Sequence, residues 1–258
     1  MFTTSEVIVN IAALLVVYMS AWFALAFILK RRDVADVAWG LGFVLAAWAA
    51  YAMRNNEHWV ATVALLLTTA WGLRLFVHIG SRNLRKKAED PRYAALGTLG
   101  SLRMWLQTYV KVFLLQAGLI LMVSLPVIAI MQSQKEPVVW LAIVGISLWL
   151  FGIIFEATAD RQLRKFLASG KKGLMKTGLW SVSRHPNYFG ELTTWWAAAL
   201  VAVACGQWWG VLGAVVITIL ITKISGVTLL EKKYKDNPEF QAYAKKTAIL
   251  VPFVGKKV

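Results

Sequence analysis

The sequence predicts an all-α integral membrane protein of about seven transmembrane helices, with its N-terminus outside and its C-terminus in the cytoplasm. Three observations carry that expectation. Of 258 residues, 59% are hydrophobic and the mean hydropathy is +0.60, too apolar for the surface a soluble domain of this size must present. The apolar residues fall in runs near 7–29, 34–53, 59–80, 104–131, 137–159, 187–206 and 209–230, each near the ~20 residues that cross a bilayer as a helix. Basic residues gather in alternate connections between those runs, which is the pattern that sets orientation.

Taken in order, the first run is too long for a signal-peptide core and lacks a basic leader, so it reads as a retained helix. It ends on Lys30, Arg31 and Arg32. The second run carries Asp36 near its start, and the third carries Arg74 and His78 near its end. Pro126 predicts a kink in the fourth run, which is the longest. Arg82, Arg85, Lys86, Lys87, Arg92 and Arg103 follow the third run, and Arg161, Arg164, Lys165, Lys171, Lys172, Lys176 and Arg184 follow the fifth. The tail adds Lys232, Lys233, Lys235, Lys245, Lys246, Lys256 and Lys257, whereas the intervening connections hold only Arg54 and Lys135. The net charge of +15 is thus accounted for by cytoplasmic loops facing anionic lipid and needs no nucleic acid. The lone Cys205 excludes an internal disulfide, and no zinc-type Cys/His cluster or Gly-rich phosphate loop is present.

The stretch from Gly178 to Glu191 sets a polar, turn-rich passage directly against an apolar run. Pro186 disfavours helix at His185 and suits the first turn of a helix beginning there. Asn187 and Glu191 then lie one turn apart on one face. Arg184, His185 and the helix start form a seat for an anionic group; the alternative is a membrane-surface turn with snorkelling side chains.

The ionisable residues within the runs, Asp36, Arg74, His78, Glu156, Glu191 and Lys223, all fall in the half that the charge pattern makes cytoplasmic. This predicts a polar cavity open to the cytoplasm and roofed by apolar helices. Glu156, Asp160 and Arg164 recur at four-residue intervals, as do Arg74, His78 and Arg82, and the turn Glu89-Asp90-Pro91-Arg92-Tyr93 follows the latter. For Asp160 and Arg164 an ordinary surface ion pair is the competing reading, and for His78 a hydrogen-bonded core histidine.

These residues resemble a known family. Asp160-Arg161-Gln162-Leu163-Arg164, then Gly178-Leu179-Trp180, then Arg184-His185-Pro186-Asn187-Tyr188-Phe189-Gly190-Glu191 and Pro252-Phe253 are similar to motifs of the steroid five-alpha-reductase superfamily. The likeness is greatest to its bacterial branch of uncharacterised membrane proteins, and the sterol carbon-14 and carbon-7 reductases share the Arg-His-Pro-Asn-Tyr stretch. The resemblance covers residues 150–258 well and is weaker from Trp71 to Tyr93. It implies a single membrane domain over residues 1–258, with substrate-side helices in 1–131 and cofactor-binding helices and loops in 137–258. It also implies a bacterial inner membrane, NADPH from the cytoplasm, a lipid or steroid-like substrate from the bilayer, and hydride transfer to an activated C=C bond. Glu156, Asp160, Arg164, Lys165, Trp180, Arg184, His185, Asn187, Tyr188, Glu191, Glu231 and Tyr234 are the implied cofactor residues.

The chain departs from the steroid-specific members at the substrate end. Those place a Gln-Glu pair near the second span and a Tyr after a His on the third; here stand Asp33-Val34-Ala35-Asp36 and His78-Ile79. Asp33, Asp36, His78 and Tyr93 are therefore the candidates for the acid that completes a reduction. A rival resemblance is to the isoprenylcysteine carboxyl methyltransferases, which have an Arg-His-Pro-x-Tyr-x-Gly stretch and a Glu- and Tyr-containing tail like Glu231, Tyr234 and Tyr243. Their cofactor is S-adenosylmethionine. Asn187, Glu191 and the Asp160–Arg164 stretch favour the reductase.

Overall fold

A computed structural model describes residues 2–85, 88–94, 97 and 100–254; Lys86, Lys87, Lys256 and Lys257 of the basic runs lie outside them. The described residues are helical, with one isolated parallel bridge, Ser183 to Ala248. They divide into two compact units, Met1–Val138 with Ala202–Leu212, and Val139–Val201 with Gly213–Val258.

In the first unit, α1 (Thr4–Leu29) opens on a capping box in which Thr3 and Glu6 satisfy each other's amides, and it closes on Lys30 in the left-handed conformation. The helices α2 (Val34–Ala52) and α3 (Trp59–Leu84) are the most tightly packed pair. A Cβ at Gly72 would lie 2.6 Å from the Gly40 carbonyl oxygen, and one at Gly40 would strike that of Gly72. Only glycine lets the two backbones approach so closely.

After the single-turn α4 (Pro91–Ala94), the fourth apolar run is not one helix. It passes from α5 (Leu102–Thr108) through a π segment (Tyr109–Leu114) into α6 (Leu115–Val123), then breaks at Ser124 before α7 (Leu125–Gln132). The expected kink at Pro126 is instead a helix start. Proline has no N–H to donate, and the first turn is where none is needed.

In the second unit, α8 (Val139–Ala168) continues well past its apolar run, and α9 (Pro186–Ala204) begins at the expected proline. Gly145 and Gly152 of α8 meet Val201 and Thr194 of α9, and Gly190 of α9 meets the backbone of Glu156. Three glycines therefore set the contact between these helices. After α10 (Val211–Ile219) a π segment (Leu220–Ile224) leads to a break at Ser225 and Gly226, then α11 (Val227–Tyr234) and α12 (Pro238–Lys246).

By length and composition six helical stretches can cross a membrane: Thr4–Leu29, Val34–Ala52, Trp59–Leu84, Leu102–Val123, Val139–Ala168 and Trp208–Tyr234. The sixth expected run, 187–206, forms α9, but Asn187, Glu191, Thr193 and Thr194 keep its first half polar, so it is not among these six stretches. Exposed tryptophans stand at or near the starts of three of these stretches, at Trp59, Trp140 and Trp208, where the ring's apolar body and N–H suit a membrane interface.

Candidate active site

Two polar clusters answer to the residues singled out in the sequence, one in each unit. In the first unit Asp36 lies in the first turn of α2, and Tyr93 reaches it from α4. The Tyr93 hydroxyl donates to Asp36 Oδ1 at 2.6 Å, and Arg92 Nη2 donates to Oδ2 at 2.6 Å. Gln116 Nε2 in turn donates to the Tyr93 oxygen at 3.3 Å. Gln116 lies two residues beyond the π segment, whose wider turn resets the phase of the helix that carries it. Burial, with the Asp36 carboxylate beside it, pushes the Tyr93 phenol well above its ordinary pKa. For Arg92, burial opposes the charge but Asp36 and Asp90 outweigh it and hold the guanidinium ionised. The result is a phenol that keeps its proton and a carboxylate that orients it.

The other acid candidates sit differently. Asp33 is fully buried and accepts from Arg31 Nε at 3.0 Å and Arg31 Nη2 at 2.9 Å, so its carboxylate is engaged by Arg31 just before α2. His78 is half-buried on α3, one turn after Arg74. One pairing and one further residue of the neighbourhood carry no signal in the sequence. Glu89 pairs with the buried Arg32 through bonds of 3.0 and 2.6 Å, and Gln116 offered no motif in which to see it.

The second cluster is built on the Arg-His-Pro stretch. Glu231 of α11 accepts from Arg184 Nε at 3.0 Å and Nη2 at 2.7 Å, and its Oε1 lies 2.8 Å from His185 Nε2. Arg184 Nη1 donates to the carbonyls of Ala244 and Thr247 at 3.0 and 2.8 Å. Four of its five N–H donors would thus be engaged within the chain. Buried His185 stacks on Tyr188 with ring centroids 5.7 Å apart, and Tyr234 packs on Phe240 at 5.7 Å.

The Gly178–Trp180 turn is pinned to α8, since Trp180 Nε1 donates to the Ala159 carbonyl at 3.1 Å and Leu179 N to Gln162 Oε1 at 3.0 Å. Along α8, Glu156 and Asp160 are buried while Arg164 and Lys165 are exposed. Four-residue steps drift around a helix, and after two of them the face has turned to solvent. Asn187 and Glu191 stand half-buried in the first turns of α9, just beyond His185.

This donor set fits a dinucleotide phosphate. Arg164, Lys165, Lys171 and Lys172 are exposed and enter none of the ion pairs formed among the described residues, and a 19-residue helix begins at Pro186, whose N-terminal dipole favours an anion. Among the described residues no group of His, Cys, Asp and Glu could hold a metal ion.

Residues 22–247 match a family described as protein of unknown function (DUF1295). A stretch of 113 residues, 43% of this chain, is 31% identical to the 3-oxo-5-alpha-steroid 4-dehydrogenase 1 of Rattus norvegicus, of which it covers 40%. The proteins of the same name from Mus musculus and Homo sapiens are 31% and 29% identical over 113 and 119 residues, with 43% of this chain and 41% of each relative covered. The matched stretch thus spans about two-fifths of the length of these curated relatives.

Proposed function

The chain belongs to the DUF1295 family, within a steroid five-alpha-reductase-like superfamily, and from that premise we propose that it is a membrane-embedded, NADPH-dependent reductase. Its substrate is a steroid-like or other lipid ketone conjugated to a C=C bond. The observation that carries this reading is the Asp36–Tyr93 pair, an oriented phenol bonded to a carboxylate at 2.6 Å. The relatives' names specify a 3-oxo steroid changed at position 4, which is chemistry beside a ketone.

The cations after Asp160 and the Arg-His-Pro stretch are the seat for the cofactor. Arg164, Lys165, Lys171 and Lys172 hold its phosphates, with the start of the helix at Pro186 adding its positive dipole end. Asn187 and Glu191 orient the nicotinamide-ribose end. Arg184 acts differently from the phosphate ligand its position in the motif suggests: with Glu231 it holds His185 and Tyr188 in place. When bound, NADPH supplies a hydride to the carbon β to the ketone.

Tyr93 and Asp36 supply the proton. As hydride adds, charge builds on the ketone oxygen, and a donor there stabilises it. With Asp36 ionised, Tyr93 donates to it. Once Asp36 takes a proton the bond reverses, and the phenol hydrogen is available to the ketone. Arg92 and Asp36 are 47% and 21% exposed in their side chains, so the pair can be recharged from water.

The test is turnover of purified protein with NADPH and a 3-oxo-4-ene steroid, alongside other lipid enones. Tyr93→Phe is expected to lower turnover by about 10²–10⁴-fold, the usual contribution of a general acid, with NADPH affinity unchanged. Loss of NADPH binding in Tyr93→Phe, with no enone reduced by the parent, would remove this reading.

The methyltransferase remains the second reading, because Glu231 of the tail bonds Arg184 and His185, and Tyr243 donates to the Ser183 carbonyl just before them. S-adenosylmethionine has no phosphate to occupy the four exposed cations, which is why the reductase is preferred.

A further inference from the structure

We infer that the C-terminal segment from Tyr243 to Val254 is an interfacial anchor that docks on anionic phospholipid headgroups and, through Arg184, braces the Arg184–Glu231–His185 cluster. The segment is sharply one-sided. Thr247 and Ala248 are buried, whereas Ile249, Val251, Phe253 and Val254 are 45–67% exposed. Four large apolar side chains facing outward within six residues do not suit an aqueous tail.

Part of the backbone beneath them is already bonded within the protein. Arg184 N donates to the Ala248 carbonyl at 2.8 Å, Ser183 Oγ to that of Leu250 at 2.7 Å, and Phe253 N to that of Val182 at 3.3 Å. The Tyr243 hydroxyl caps the Trp180 carbonyl. An apolar phase excludes irregular chain chiefly because unpaired peptide groups are costly there. This segment has paired several of them internally and can offer its side chains to the acyl boundary.

Charge selects the occupant. Lys245 and Lys246 immediately precede the apolar patch, and Lys232, Lys233 and Lys235 lie exposed on α11 and the turn after it. Two of the nearby carboxylates are spoken for, Glu231 by Arg184 and His185 and Glu239 by Lys176 at 2.6 Å. An amphipathic patch flanked by unneutralised lysines matches a bilayer surface carrying negative headgroups. Because the carbonyls of Ala244 and Thr247 hold Arg184, seating the segment also seats the cluster.

The experiment uses the full-length chain in nanodiscs, with an environment-sensitive fluorophore on Val251→Cys and, separately, on Val254→Cys. Cys205 is 1% exposed and can stay. Discs of phosphatidylcholine alone are compared with discs that also contain phosphatidylglycerol. A nitroxide on a shallow acyl carbon should quench both labels, aqueous iodide should not, and phosphatidylglycerol should raise the nitroxide quenching at least about twofold. Lys245→Glu with Lys246→Glu should abolish that rise. Two outcomes overturn the inference. One is iodide quenching as complete as for a label at the exposed Asp236→Cys, without nitroxide quenching. The other is shielding that occurs only when two copies share a disc, which would assign the patch to a second chain.

Discussion

Replacing Glu231 by alanine removes the acceptor of three bonds, at 3.0 and 2.7 Å from Arg184 and 2.8 Å from His185. Breaking a fully buried ion pair costs about 3–5 kcal/mol. The Glu231 side chain is 22% exposed and that of Arg184 11%, and Arg184 keeps its two carbonyl partners, so water and those bonds recover part of the loss. We expect a cost of roughly 2–3 kcal/mol, toward the low end for three charge-assisted bonds. In a chain of this size that lowers the thermal midpoint by about 4–12 °C. The assay is thermal unfolding in detergent at one scan rate, since unfolding of such a protein is a kinetic measurement. Glu231→Gln, which retains one acceptor, should fall between parent and alanine. Arg184→Ala combined with Glu231→Ala should cost clearly less than the two summed. A Glu231→Ala midpoint within about a degree of the parent would refute the clamp, as would strict additivity with Arg184→Ala.

Gly190→Ala would place a Cβ 2.6 Å from Glu156 N and 2.8 Å from its Cα, and a backbone cannot give way as a side-chain tip can. Overpacking of this kind costs about 1–3 kcal/mol, so the midpoint should fall by about 2–12 °C, while Gly118→Ala, with nothing within 4 Å, should leave it unchanged or raise it. Burial pushes the Tyr243 phenol up to about 12, with Arg184 opposing and Glu231 adding to the shift. A phenol raised in the folded state leaves stability intact below its unfolded value near 10 and withdraws it as pH climbs toward 12. Unfolding midpoints measured at rising pH should therefore drop less steeply through that window in Tyr243→Phe than in the parent.

Much of the first unit was legible because α1, α2 and α3 coincide with long apolar runs, the first of them closed by Lys30, Arg31 and Arg32. Helices that continue beyond an apolar run were cut short: α3 extends to Leu84 and α8 to Ala168. Polar residues such as Arg82 and Arg161 end a hydropathy signal without ending a helix. The break at Ser124 was read as a kink because Pro126 is equally at home within a bent helix and at the start of a new one.

At the site, Asp36 and Tyr93 stood among four candidates, and only the fold brings together residues separated by 57 positions. Gln116 was invisible, being a single amide in an apolar run whose phase depends on a π segment. Arg184 stands among the cofactor residues that its motif implies, and what it bonds within the chain is not written there. Its partners at 231, 244 and 247 are long-range, and no local pattern reports them.

The central claim is that this chain binds NADPH through the exposed cations of its second unit, and isothermal titration calorimetry of the detergent-solubilised protein tests it most directly. NADPH should bind saturably and more tightly than NADH, because the extra phosphate meets Arg164, Lys165, Lys171 and Lys172, and the preference should shrink as salt rises. Arg164→Ala should weaken NADPH by about 1.5–3 kcal/mol. Saturable heat from S-adenosylmethionine, with none from NADPH, would contradict the account and make the chain a methyltransferase.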